Sequence, residues 1–187
     1  MPVWSIVLIC VIAFILFVFL IWWISTGNKF KVMEVKIDEA EAGINVALNK
    51  RYDLLTKVVA TVKGYAKHEE ETLSKIVSMR NLNSNSSLAN KQEFANATSE
   101  ALKSINLVVE QYPTLKADTQ FTALQNSIRD VEEQLQAARR LYNANVSKYN
   151  QAIIVFPASI IANSKNFKKR DFFEVEEEKR QDVNIEF

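Results

Sequence analysis

The sequence predicts an all-α protein: an N-terminal transmembrane helix followed by an antiparallel up-and-down bundle of long helices. Three observations carry that expectation. Val3 to Ile24 contains no charged side chain. Beyond it, apolar residues recur at steps of three and four, the period of a helix face. The 187 residues include only three glycines and three prolines, too few for the turns of a β-rich fold.

The apolar run fixes the first element. At about 1.5 Å per residue, Val3–Ile24 spans about 33 Å, enough for a hydrocarbon core of about 30 Å. Its Leu, Ile, Val and Phe residues favour lipid, and Trp4 at one end with Trp22 and Trp23 at the other match the interfacial aromatic belts. A cleaved signal peptide fits less well: no Lys or Arg precedes the run, the apolar core is long, and Ser25-Thr26-Gly27 is a weak cleavage pattern. Cys10 is the single cysteine and lies inside the run, so the remainder has no disulfide or thiolate metal site. Ile9 before it, where a small residue is expected, disfavours lipid attachment. Lys29, Lys31 and Lys36 follow the run, which places the bundle in the cytoplasm with the N-terminus outside.

The mean hydropathy near zero and the pI near 7.8 average this run with a polar, highly charged remainder. The charges of that remainder are balanced and interspersed. It lacks the basic field that nucleic acid binding requires, so no nucleic acid partner is expected.

The next stripe runs through Ile37, Ala40, Ile44, Ala47, Leu55, Val58, Val62, Tyr65, Leu73 and Ile76. It thins at Asn49-Lys50-Arg51, where the pattern admits a break or kink, and the pattern alone allows one helix or two over 29–80. Asn81 to Ser87 reads as a loop, because Asn and Ser compete with helical hydrogen bonds. Asn90 and Glu93 resemble a capping box. The helix they open has the stripe Phe94, Ala97, Ala101, Ile105, Val108 and Tyr112, and ends before Pro113. Asp118 is the expected N-cap of the last long helix, whose stripe is Phe121, Leu124, Ile128, Val131, Leu135, Ala138, Tyr142, Asn145 and Tyr149. This alternation of three and four is the signature of bundle or coiled-coil packing, closed at Phe156-Pro157. A short apolar piece, Ile160-Ile161-Ala162, precedes a basic-aromatic segment and a charged tail without a stripe, read as disordered. The domain plan is therefore 1–28 for the anchor with its flanks, 29–166 for the bundle and 167–187 for the tail.

Few residues suggest chemistry. His68 is the only histidine. A zinc-protease helix needs a second histidine at Thr72, and a di-iron bundle needs Glu where Tyr65 stands and another histidine elsewhere. Glu69, Glu70, Glu71, Glu132 and Glu133 read as solvated charge rather than a convergent acid–base pair. There is no glycine-rich phosphate loop and no nucleophile elbow, so no cofactor, metal or catalytic residue is expected. The sequons at Asn85, Asn96 and Asn145 are read as chance matches. Polar residues at or beside the stripes are the stronger candidates: Arg51, Asp53, His68, Arg139, Asn143, Asn145 and Asn150. Each costs about 1–3 kcal/mol if buried without a partner, so a polar network fixing helix register is expected ahead of a functional surface. Lys168, Lys169, Arg170, Phe172 and Phe173, with Phe167, either dock on an anionic membrane surface or cap the bundle.

Several ordered motifs resemble the LemA family over nearly the whole chain. They are Lys50-Arg51-Tyr52-Asp53-Leu54-Leu55, Val62-Lys63-Gly64-Tyr65-Ala66-Lys67-His68-Glu69, and Tyr112-Pro113-Thr114-Leu115-Lys116-Ala117 with Phe121 and Leu124-Gln125. Ala138-Arg139-Arg140-Leu141-Tyr142-Asn143, Val146, Tyr149-Asn150, Phe156-Pro157, Phe167-Lys168 and Phe172-Phe173-Glu174 follow. The resemblance implies a membrane anchor, an antiparallel bundle and no catalytic residue to carry over. Relatives often have proline where Thr56 stands, so a continuous helix through 45–60 is expected here.

The function expected is a single-pass, non-enzymatic interaction or scaffold module at the inner or plasma membrane. Its partners would be the lipid bilayer and an unidentified protein or a second copy of the chain. The alternatives are a membrane-tethered enzyme or metal-dependent hydrolase using His68 and nearby carboxylates, and a self-associating membrane organiser.

Overall fold

The computed structural model describes residues 2–65 and 87–174. All regular structure among them is helical: α1 Val3–Tyr65, α2 Leu88–Glu110, α3 Pro113–Lys116, α4 Thr119–Ile154 and α5 Ala158–Ser164. His68, Leu73 and Ile76, the glutamates 69–71, the loop expected at 81–86 and the tail beyond 174 lie outside the described residues.

α1 continues for 63 residues without a break. The continuous helix expected through 45–60 is present, with no break at Asn49-Lys50-Arg51: Asn49 and Lys50 are exposed while Arg51 turns into the stripe. Phe30, Ile37, Ile44, Arg51 and Val58, all buried, recur every seven residues. The helix also runs through Thr56, whose hydroxyl donates to the Tyr52 carbonyl at 3.0 Å. From Val3 to Ile24 every residue but Ser5, Trp22 and Trp23 is exposed, and this part of α1 is long and apolar enough to cross a membrane.

The chain divides into two compact units. The first combines residues 1–39 with 142–172. In it α4 runs antiparallel to α1: Asn145 Nδ2 donates to the Lys36 carbonyl at 3.1 Å, and Tyr149 Oη donates to Glu34 Oε1 at 3.3 Å. Val146, rather than the expected Asn145, takes the fully buried position. α5 forms from the short apolar piece and buries Ile161 and Ala162. It ends at Ser164 with Lys165 as its C-cap, and beyond the cap Asn166 takes a positive φ of 57°, with Phe167 N–H donating to the Ala162 carbonyl at 2.9 Å. That turn brings Phe167 edge-on to Phe30, centroids 5.3 Å apart.

The second unit combines 40–141 with 173–187. Lys91 bonds to Glu41 while Arg51 bonds to Ala95, Thr98 and Ser99, so positions along α1 and α2 advance together and the two run parallel. α4 runs antiparallel to α1, with Glu132 beside Arg51 and Phe121 packed among Leu55, Val62 and Val109. Burying each such Leu, Val or Phe favours folding by about 1.5–3 kcal/mol. The cap of α2 is Ser87, whose Oγ accepts from Asn90 N–H at 3.4 Å, so Asn90 and Glu93 lie inside the helix rather than opening it. Asp118 caps α4 as expected, its Oδ1 accepting from Gln120 and Phe121 at 2.7 and 3.1 Å.

Candidate functional site

The seven-residue repeat of α1 puts an arginine where Ile44 and Val58 set an aliphatic pattern. Arg51 is only 3 % exposed. Its Nη1 donates to the Ala95 carbonyl and Thr98 Oγ1, both at 3.2 Å, and its Nη2 donates to Ser99 Oγ at 2.9 Å. Three residues of one turn of α2 thus hold the guanidinium from one side. From α4, Glu132 Oε2 approaches Nη2 at 2.8 Å as an ion pair rather than an aligned hydrogen bond. Thr98, the other fully buried polar residue, also donates to Ala95.

Arg139 follows Glu132 two turns along α4, and its guanidinium lies 4.9 Å from the Phe173 ring centroid in a cation–π contact. The Nε of both arginines is buried without a hydrogen-bond partner. Burial lowers the pKa of Arg51, with Glu132 opposing the shift; it does the same to Arg139, with Glu132 opposing and the like charge of Arg51 adding to it. A guanidinium still does not deprotonate in water. The shifts therefore record the cost of holding two cations around one carboxylate. Beside Arg51 a cleft of about 450 Å³ is lined by Ser99, Asn106, Gln125 and Arg129.

A second polar group lies in the first unit. Asn150 brackets Arg170, its Oδ1 accepting from the Arg170 N–H at 2.9 Å and its Nδ2 donating to the Arg170 carbonyl at 2.8 Å. The Arg170 side chain reaches Asp38 at 2.6 Å. Tyr142 Oη donates to the Asp171 carbonyl at 3.0 Å. The segment after α5 is thereby pinned along α4. Tyr149 beside Glu34 has its pKa pushed up to about 12, first by burial, then by the charge and hydrogen bond of Glu34, with Arg170 opposing.

The candidates named from sequence separate accordingly. Arg51 pairs with Glu132, and Arg139 stacks on Phe173 within reach of the Glu132 charge. Asn150 joins Arg170, Asn145 is half-buried against Lys36, Asn143 is half-buried, and Asp53 points to solvent. His68 lies outside the described residues. Of the basic-aromatic segment, Lys168 and Lys169 are exposed, Phe172 is 45 % exposed and Phe173 is buried under Arg139. Sequence reasoning left out Thr98, Ser99 and the pairing role of Glu132. The signal available was Arg51 itself: a cation in an apolar repeat requires acceptors on the facing helices. Among the described residues no group of His, Cys, Asp or Glu is placed to hold a metal.

The LemA family pattern matches residues 40–187. Protein LemA of Metamycoplasma hominis is 28% identical over 178 residues, covering 93% of this chain and 81% of that protein. Magnetosome protein MamQ of Magnetospirillum gryphiswaldense is 32% identical over 73 residues, 39% of this chain and 27% of that protein. Magnetosome protein MamQ 2 of Paramagnetospirillum magneticum is 32% identical over 74 residues, 40% of this chain and 27% of that protein. None of these names states a reaction.

Proposed function

Because the chain belongs to the LemA family, we propose that it is a non-enzymatic interaction or scaffold module, held at the inner or plasma membrane by the first part of α1. The observation that carries this reading is the change of surface along α1. Its span-length apolar stretch is exposed on every side, whereas its later turns bury one stripe and leave a charged face outside. A helix apolar all round requires lipid or a protein interior, and no interior covers it here. The polar groups of the bundle are engaged in holding helices together, which leaves its outer faces as the surface offered to a partner. The bundle faces the cytoplasm, since Lys29, Lys31 and Lys36 follow the span.

Chemical crosslinking of the full chain in native membranes, followed by mass spectrometry, tests the interaction role. A defined protein, or a second copy of this chain, is expected at crosslinks from exposed bundle lysines. Membranes that yield only crosslinks within single chains contradict it.

A further inference from the structure

Where α1 leaves its apolar span, a groove of about 560 Å³ opens between α1 and the end of α4. Trp22, Lys29 and Phe30 of α1 line it together with Lys148, Ala152 and Val155 of the α4 side. The lining is mostly apolar, yet the chain beside it remains uncovered: Ile154, Val155 and Phe156 are 56%, 58% and 77% exposed, and Ile160 is 51% exposed. Apolar side chains left bare together mark a surface that meets lipid or a partner.

The position of the groove selects between them. Trp22 precedes the end of the span at Ile24, so the groove begins at the bilayer interface. Lys29, five residues past Ile24, stands about 8 Å farther along the helix axis. The headgroup layer beyond the hydrocarbon is about 5–8 Å per leaflet. Lys29 is therefore at phosphate depth and Trp22 at the depth of the upper acyl chains, while Val155, which the antiparallel pairing of Tyr149 with Glu34 sets level with Asn28, lies in the headgroup layer.

The charge at this end is mostly basic, with Glu34 as the neighbouring acid, paired with Lys31 at 3.3 Å. Residues 25–33 and 148–169 contain six lysines (29, 31, 148, 165, 168 and 169) and no aspartate or glutamate. Lysines close to a membrane surface attract anionic lipid, and an ammonium on a flexible stem is a good point-charge partner for phosphate. Gly27 is buried and lets Lys165 Nζ lie against α1, where a side-chain carbon would meet it.

We propose that this groove binds an anionic phospholipid of the membrane that α1 crosses, drawn up so that its upper acyl chain lies against Trp22, Val155 and Ala152 and its phosphate between Lys29 and Lys148. The proposal rests on the membrane anchoring in the reading above. It adds a lipid that the protein selects to the lipid that merely surrounds it.

The test uses the full-length chain in mild detergent, titrated with phosphatidylglycerol or phosphatidylcholine of matched chains, with bound lipid counted by native mass spectrometry. Phosphatidylglycerol is expected to be retained at least tenfold better. The preference is expected to vanish in Lys29→Gln/Lys148→Gln and in Ala152→Trp, which fills the groove but keeps both charges, and to survive in Lys168→Gln/Lys169→Gln. Ala152→Met replaces the tryptophan variant if circular dichroism shows lost helicity. Equal retention of the two lipids overturns the proposal. So does a preference that survives either groove variant, or one that Lys168→Gln/Lys169→Gln abolishes equally. Alkaline carbonate extraction of the source membranes separates the two readings. Release of the chain defeats the anchor itself, whereas a retained chain without lipid preference defeats only the groove.

Discussion

At the scale of residues, the account turns on groups whose charge is out of place in a helical core. Glu132 offsets the buried Arg51, while its own side chain is 30% exposed. Removing the carboxylate leaves the Arg51 cation buried; removing Arg51 leaves a carboxylate that water can reach, with Thr98 and Ser99 still bonded to Ala95. Glu132→Gln is therefore expected to cost about 3 kcal/mol and Arg51→Met about 1–2 kcal/mol. Chemical denaturation of the full chain, followed by circular dichroism, checks the order; a larger loss for Arg51→Met contradicts it. Tyr149 gives a pH dependence. Its phenol ionises near pH 10 when unfolded and at about 12 when folded. Between those values the unfolded chain holds fewer protons, so the contribution of Tyr149 is complete below pH 10 and is lost as pH rises through 12. Absorbance at 295 nm should show a late-titrating phenol that Tyr149→Phe removes. Unchanged titration in that variant contradicts the assignment.

At the scale of elements, α1 is the instructive case. Gly43 is exposed, and an added methyl would have no neighbour within 4 Å. Gly43→Ala is expected to stabilise the helix by about 0.5–1 kcal/mol. Thr56→Pro is expected to cost about 3 kcal/mol by removing an N–H from an uninterrupted helix. Thermal melts monitored at 222 nm check both, and a stabilising Thr56→Pro contradicts the continuity of α1 there. Most elements were legible in the sequence, because apolar steps of three and four, Asp118 and Pro113 act locally. The apparent break at Asn49-Lys50-Arg51 was misleading for a reason of tertiary structure. An arginine counts as a gap in an apolar stripe, yet here it occupies the stripe and is satisfied by α2 and α4. The pinning of Arg170 by Asn150 and the parallel course of α1 and α2 depend on contacts between residues far apart in the chain, which a local pattern does not encode. Phe173 was read with the basic segment as a membrane or capping residue; its burial under Arg139 depends on the same kind of contact.

At the scale of the whole molecule, one apolar segment supplies an address and the remainder supplies helical surface. Val3–Ile24 is long enough for a bilayer, and Trp22 and Trp23 stand at its far edge. The polar interior holds the helices in register, and the proposed role lies in what the outer faces meet at that membrane. Protease protection tests this most directly: a tag at the C-terminus of the full chain, followed in intact spheroplasts and in the same spheroplasts after lysis. The account predicts a bundle resistant to added protease until the membrane is opened, with the chain remaining in the membrane fraction throughout. Digestion of the bundle in intact spheroplasts, or its recovery in the soluble fraction, contradicts it.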